Sequence, residues 1–317
     1  MKAKIALFVA SLILSMAAML AIAHAAGINV GRVLLDIQTT IFGPIKVGIW
    51  QPDNRKGWTH VPDSTGEQSK PLVYDVTYHI DSEGHRVTAG GYNRPKILLL
   101  GGSFTFGQGV EDQEAYPTLL GEAFPEYKVI NAGVSAWGTG QSLLELEDEL
   151  ATYDDIKLVA YSFITAHVER NGVRRSWLEY LATTRGLKNV HFELEGDQLV
   201  YRGLADPQRD GMDGGPELDR QEIDLTIAML DEMRAICEAT NVPFVVFLLP
   251  DDAIDQDLSR AIAASIGPDN LYDIQDLFSD PKARLRFDGH PSPLGHRLIS
   301  EAMTPILKNR LQKAPPP

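Results

Sequence analysis

A serine, a histidine and an aspartate stand where this chain could build nucleophilic chemistry. Ser103 lies in ILLLGGSFTFGQGV, residues 97–110, where an apolar run, Ile97–Leu100, meets Gly101-Gly102 and the serine. The run reads as a buried strand of parallel type. Glycine permits the sharp turn that follows, which exposes the hydroxyl at the sheet end where α/β proteins place their sites. A free hydroxyl is a weak nucleophile. It needs a base, an acid that orients the base, and donors for the oxyanion.

FDGHPSPLGHRLISEAM supplies a base and an acid. Ser292-Pro293 is a helix start, with Ser as N-cap and Pro in the first helical position. His290 therefore lies in the loop before that helix, two residues after Asp288. It is either a proton acceptor for Ser103, oriented by Asp288, or a surface residue behind an Asp288-Gly289 turn. The segment VINAGVSAWGTGQ ends a strand at Ile130 and opens into Asn131, Gly133, Gly138 and Gly140. Backbone N–H groups there can hold an oxyanion, or Asn131 simply caps a turn.

Strands and helices alternate from Lys96 onward. Helices are expected near Glu114–Phe124, Gln141–Ala151, Ser176–Thr183, Leu218–Ala239, Asp255–Ser265 and Pro293–Leu311, between the strands ILLL, KVINAG, IKLVAYSFI, PFVVFLLP and LYDI. Such alternation implies a parallel sheet covered on both faces. The insertion HFELEGDQLVYRG reads as a hairpin around Gly196-Asp197, and ADPQRDGMDGGPE as a flexible, lid-like loop. Residues 26–95 form an N-terminal extension. In it QPDNRKGWTHVPDSTGEQSKP is polar and turn-rich, so it is expected to be surface loop. LVYDVTYHID alternates as a half-buried strand that DSEG turns towards HRVTA, a hairpin.

The 317 residues suit one large domain with a small appendage. Lys2 and Lys4 precede an uncharged run from Ile5 to Ala23, and Ala23-His24-Ala25 resembles a cleavage signal. Residues 1–25 are thus expected to be a signal peptide, or alternatively an uncleaved membrane anchor; either exports the body. Without them 27 basic residues face 43 acidic ones, a net charge of −16. That surface repels nucleic acid. Cys237, the single cysteine, falls on the apolar face of a helix and reads as a buried, inert thiol. No phosphate-loop Lys follows GGSFTFGQG, no H-E-x-x-H pair occurs, and DGMDGG lacks calcium-ligand spacing, so neither metal nor organic cofactor is expected.

Together GGSFTFG, NAGVSAWG and DGHP resemble the first, second and last blocks of the GDSL-type or SGNH family of serine hydrolases, over residues 96–312. The resemblance implies a flavodoxin-like three-layer α/β/α sandwich beside the small β-containing extension. It implies Ser103 as nucleophile, His290 as base and Asp288 as its orienting acid, with oxyanion donors at Gly102–Ser103, Gly133 and Ala136. The sequence departs from the family pattern in four places. Gly102 stands for the usual Asp, and Ala136 for the usual Gly. Ala166-His167 replaces an Asn-Asp whose Asn donates to the oxyanion, and Asp288 precedes His290 by two residues where many members have three. His167 either supplies the missing donor through its ring or is a solvent-facing rim residue. The implied activity is an exported ester hydrolase acting on a small or glycan ester. The alternatives are an acyltransferase on a polysaccharide and a non-catalytic carbohydrate-binding or assembly protein.

Overall fold

The computed structural model describes residues 48–313, except Pro71, Asp252, Ala253 and Asp255. The expected signal peptide or anchor, residues 1–25, lies outside them. Among the described residues no helix is long and apolar enough to cross a membrane.

The extension holds two hairpins, β1 (Trp50–Asp53) with β2 (Gly57–His60), and β3 (Thr65–Lys70) with β4 (Tyr74–His79). The first lies in the segment expected to be surface loop, with Trp58 and His60 buried, and the second corrects the expected pairing. β4 pairs with TGEQSK, read as loop, while HRVTA makes only isolated bridges at Arg86. The reason is chemical. The inward positions of β3 are Gly66 and Gln68, so its alternation carries no apolar signal; Gln68 instead accepts the buried Tyr78 hydroxyl at 2.6 Å.

Beyond it come β5 (Lys96–Gly101), α1 (Ser103–Phe106), α2 (Tyr116–Ala123), β6 (Lys128–Gly133), α3 (Thr139–Thr152), β7 (Ile156–Phe163), α4 (Ala166–Asn171) and α5 (Arg175–Tyr180). The hairpin β8 (Val190–Glu195) and β9 (Gln198–Leu204) turns at Gly196-Asp197 as expected. Then follow α6 (Pro216–Ala239), β10 (Phe244–Leu248), α7 (Gln256–Ile266), β11 (Leu271–Asp273) and α8 (Pro293–Lys313). The lid-like loop is tied down: Arg175 bonds Asp213, Pro207 O and Gly211 O, and Met212 bridges Arg174.

The parallel sheet runs β11-β10-β7-β5-β6. In order of appearance this is 2-1-3-4-5, the flavodoxin-like doubly wound order. Period-two alternation splits its apolar residues between two cores. Leu98, Leu100, Val159, Tyr161, Val246 and Leu248 face a core with α3, α6 and α7. Ile97, Leu99, Leu158, Ala160, Val245 and Phe247 face α2 and α8. Cys237 is fully buried, and that burial pushes its thiol up to about 12. The topology reverses between β5 and β7, so the crevice lies at their C-terminal ends, where Ser103 and His167 follow.

The extension is more than an appendage. Phe106 of α1 packs into its core with Ile49, Val76, Tyr78 and Ile80. Arg86, fully buried, donates to the carbonyls of Phe106 (2.7 Å), Gly107 (2.6 Å) and Val110 (2.7 Å), and so satisfies acceptors that a short helix leaves open. A second buried cluster joins extension and domain: His85 Nε2 lies 3.1 Å from Glu149 Oε1, and Lys56 Nζ 2.5 Å from Glu145 Oε2. Burial alone would lower the His85 imidazole, but the bond and charge of Glu149, with Glu145, outweigh it and raise it. Burial likewise raises Glu145, against Lys56 and His85. A group raised above its unfolded value stabilises fully below that value, about 6.5 for His, and the contribution is lost as pH rises through the folded value. Tm is therefore expected to fall by roughly 2–4 °C for each kcal/mol lost between pH 6 and 9, with His85→Gln flattening the slope. Calorimetry across that range checks it, and a flat wild-type profile would contradict it.

Candidate active site

Each side chain of the site is set by a local backbone feature. Gly101 ends β5 at φ +152°, and a β-carbon there would lie 2.2 Å from Thr105 Oγ1 and 3.0 Å from Ser162 O. Only glycine makes this turn. Ser103 then opens α1, and its N–H, like that of Gly102, has no protein acceptor among the described residues. The loop before α8 bends through Phe287 (φ +63°) and Gly289 (φ +90°), closed by Leu285 N–H to His290 O at 2.7 Å. This bend explains the two-residue spacing. Gly289 bulges out and brings the Asp288 and His290 side chains side by side.

His290 Nε2 lies 2.8 Å from Ser103 Oγ, and His290 Nδ1 bonds Asp288 Oδ1. Ser103, His290 and Asp288 thus meet, with Ser103 and His290 187 positions apart. His290 is no free surface residue. A fourth member was not legible in the sequence: Lys70 Nζ, from the end of β3, donates to Asp288 Oδ2 at 2.5 Å. The Asp288 side chain is 5 % exposed. Burial would raise its carboxyl, but the bonds from His290 and Lys70 outweigh burial and hold it well below the usual carboxylate range. By linkage, that stabilisation is present above about pH 4 and lost as acid protonates the group.

Lys70 fixes the second carboxylate oxygen, so it positions the first one on His290. Lys70→Met is expected to lower kcat for an activated ester about tenfold, by the cost of a slightly misplaced base, with KM little changed. Lys70→Arg should restore most of the loss. Equal losses in Met and Arg variants would argue against a charge-based role.

On the other side of Ser103, the loop after β6 lies against the turn: Val134 N–H donates to Gly101 O at 3.1 Å. Ala136 adopts φ +72°, the left-handed conformation that favours the family's glycine. Its N–H has no protein acceptor among the described residues. Gly133 is placed differently. Its N–H donates to Asn131 Oδ1 (3.2 Å), and a β-carbon on it would lie 2.5 Å from Phe106 N. It allows α1 to pack on β6 and is not an oxyanion donor.

His167 lies in α4 and is 1 % exposed, which excludes the solvent-facing rim reading. Its Nε2 has no partner among the described residues and would stand 2.8 Å from a β-carbon on Gly102. Two departures from the family pattern are therefore one. The imidazole fills the space that an Asp at 102 would need.

A hydrogen-bond chain holds the His167 ring. Asn171 Oδ1 accepts the N–H groups of Thr139 (2.7 Å) and Gly140 (3.3 Å), so its Nδ2 must donate, to Thr139 Oγ1 (2.9 Å) and Thr226 Oγ1 (2.7 Å). Tyr161 Oη lies 3.0 Å from Thr139 Oγ1 and 2.7 Å from His167 Nδ1. Tyr161 Oη donates to Thr139 Oγ1, so the tyrosine oxygen links Thr139 to the His167 ring. Burial, then the Arg170 charge, push the imidazole well below its ordinary value. Neutral His167 thus faces the Gly102–Ser103 turn with an Nε2 that has no partner among the described residues.

For metals, His85, Glu145 and Glu149 are the group whose ligand atoms approach within 4.8 Å among the described residues. Lys56 and His85 already bind the two carboxylates. The acids after β10 serve locally: Asp251 accepts the Thr165 N–H at 3.0 Å, and Asp257 bonds Arg260.

No family model and no curated protein matches the sequence. Solved structures do. The psychrotrophic esterase EstA from Pseudoalteromonas sp., in a structure inhibited by monoethylphosphonate, is 15 % identical over 69 % of this chain and 100 % of its own, with a TM-score of 0.44. A two-domain esterase active on acetylated mannans is 15 % identical over 70 % of this chain and 51 % of its own (TM-score 0.39). AlinE4, an SGNH-hydrolase family esterase, is 16 % identical over 70 % and 98 % (TM-score 0.35). The solved structures to which this chain is similar thus include SGNH and G-D-S-L family esterases, all at low sequence identity.

Proposed function

We propose that the protein is an exported serine ester hydrolase. The observation that carries this is the 2.8 Å contact from Ser103 Oγ to His290 Nε2, with His290 Nδ1 bonded to a buried, ionised Asp288. Ser103 Oγ attacks the ester carbonyl carbon as its proton passes to His290 Nε2, and Asp288 stabilises the imidazolium. The N–H groups of Ser103 and Ala136 hold the oxyanion, and His167 adds a third donor when its proton sits on Nε2. Collapse breaks the bond to the alcohol oxygen, which takes the proton from Nε2. Water, deprotonated by His290, then attacks the acyl-enzyme and releases the acid and Ser103.

The test is hydrolysis of short-chain p-nitrophenyl esters at neutral pH, with a serine-directed phosphonate whose adduct is located by mass spectrometry. Burst release of p-nitrophenol and an adduct on Ser103 are expected. Neither turnover nor an adduct would overturn the reading. Transfer of a labelled acyl group to a glycan in preference to water would convert it to an acyltransferase with the same nucleophile.

A further inference from the structure

The rim beside Ser103 is cationic and aromatic, in a chain of net charge −14. Arg170 Nη1 donates to Trp137 O at 3.1 Å and would lie 3.6 Å from a β-carbon on Gly102, next to the serine. Its guanidinium sits 5.4 Å over the Trp177 ring. Trp177 stacks on Tyr180, with ring centroids 5.6 Å apart and planes at 23°. Arg185 closes the row, 5.2 Å over Trp50 and 6.0 Å over Tyr180. A π-helical turn, Leu181–Arg185, ended by left-handed Gly186, places it there.

Neither Arg170 nor Arg185 forms an ion pair among the described residues, whereas the nearby Arg174 binds Asp219 and Glu222, and Arg175 binds Asp213. Guanidinium groups held over aromatic faces are pre-organised for a planar anion, which they bind through paired N–H bonds. Tyr180 is 40 % exposed, so part of the aromatic face is open to a flat apolar partner such as a sugar ring.

Resting on the hydrolase reading of Ser103, we propose that Arg170 and Arg185, with the Trp177–Tyr180 face, bind a carboxylate-bearing sugar, so that the natural substrate is an acylated anionic glycan. The arginines take the carboxylate and the aromatic face takes the ring, and the acylated hydroxyl is held at Ser103.

The experiment compares kcat/KM for O-acetylated oligouronides and O-acetylated neutral oligosaccharides of equal length, with p-nitrophenyl acetate run on the same preparations. At low salt the wild type is expected to prefer the oligouronide at least tenfold. The preference should fall tenfold or more in Arg185→Gln, invert in Arg185→Glu and weaken with added NaCl. Because it is a ratio, the folded fraction cancels. Equal kcat/KM for the two glycans, or a preference that survives Arg185→Glu, would overturn the proposal. No hydrolysis of p-nitrophenyl acetate would instead sink the hydrolase reading. Calorimetric binding of unacylated oligouronide to Ser103→Ala protein reads the arginines without turnover: binding lost in Ser103→Ala/Arg185→Glu supports the site, and binding unaffected by it refutes it.

Discussion

Ser103→Ala is expected to lower kcat for a p-nitrophenyl ester by about a million-fold, the scale of removing the nucleophile from a serine hydrolase, with KM little changed. The Ser103 side chain is bonded to His290, so losing its hydroxyl removes the reacting atom and leaves the packing of α1 intact. Arg86 still ties the end of α1, and Phe106 still fills the extension core. Circular dichroism and Tm should match the wild type, while the phosphonate adduct disappears. Residual catalysis from oxyanion donors and binding remains at roughly 10³–10⁴ over water. Activity within tenfold of the wild type would remove Ser103 from the mechanism.

The second large effect is expected at His167. Removing one oxyanion donor costs about 2.7–4 kcal/mol, or roughly 10²–10³ in kcat, and His167→Leu should fall in that range. His167→Asn should retain more, because an amide N–H can replace the ring donor. The sharper test couples His167 to Gly102. A β-carbon at position 102 would lie 2.8 Å from His167 Nε2, so Gly102→Asp alone should be severely impaired. In Gly102→Asp/His167→Asn the collision is gone, and the double variant should be more active than Gly102→Asp. That sign of non-additivity is the signature of direct contact. Additive losses, or a His167→Leu enzyme with unchanged kcat, would leave His167 as a core residue only.

Much of this was legible along the chain. The helix starts and sheet strands after Lys96 followed from run length and period, and Ser292-Pro293 marked α8. Shifts at helix ends were small, as at Gln141–Ala151, which is Thr139–Thr152. Where polar residues face inward, the pattern failed. β3 looked like loop because Gly66 and Gln68 occupy its inner face. The rim likewise left no signal, since a tryptophan, a tyrosine and two arginines at irregular spacing match a solvated helix as well as a binding face.

By itself, the sequence determined the sheet, its covering helices and the turn that carries Ser103, because those depend on short-range periodicity and on glycine's freedom at a few positions. Only the tertiary structure decided which distant groups meet. Lys70 and Asp288 are 218 positions apart, and their contact depends on how a hairpin packs against a loop. The tertiary structure also decided that His167 is buried and lies against Gly102 beside the serine. Such contacts depend on what surrounds a side chain in space, and no spacing in the chain encodes that.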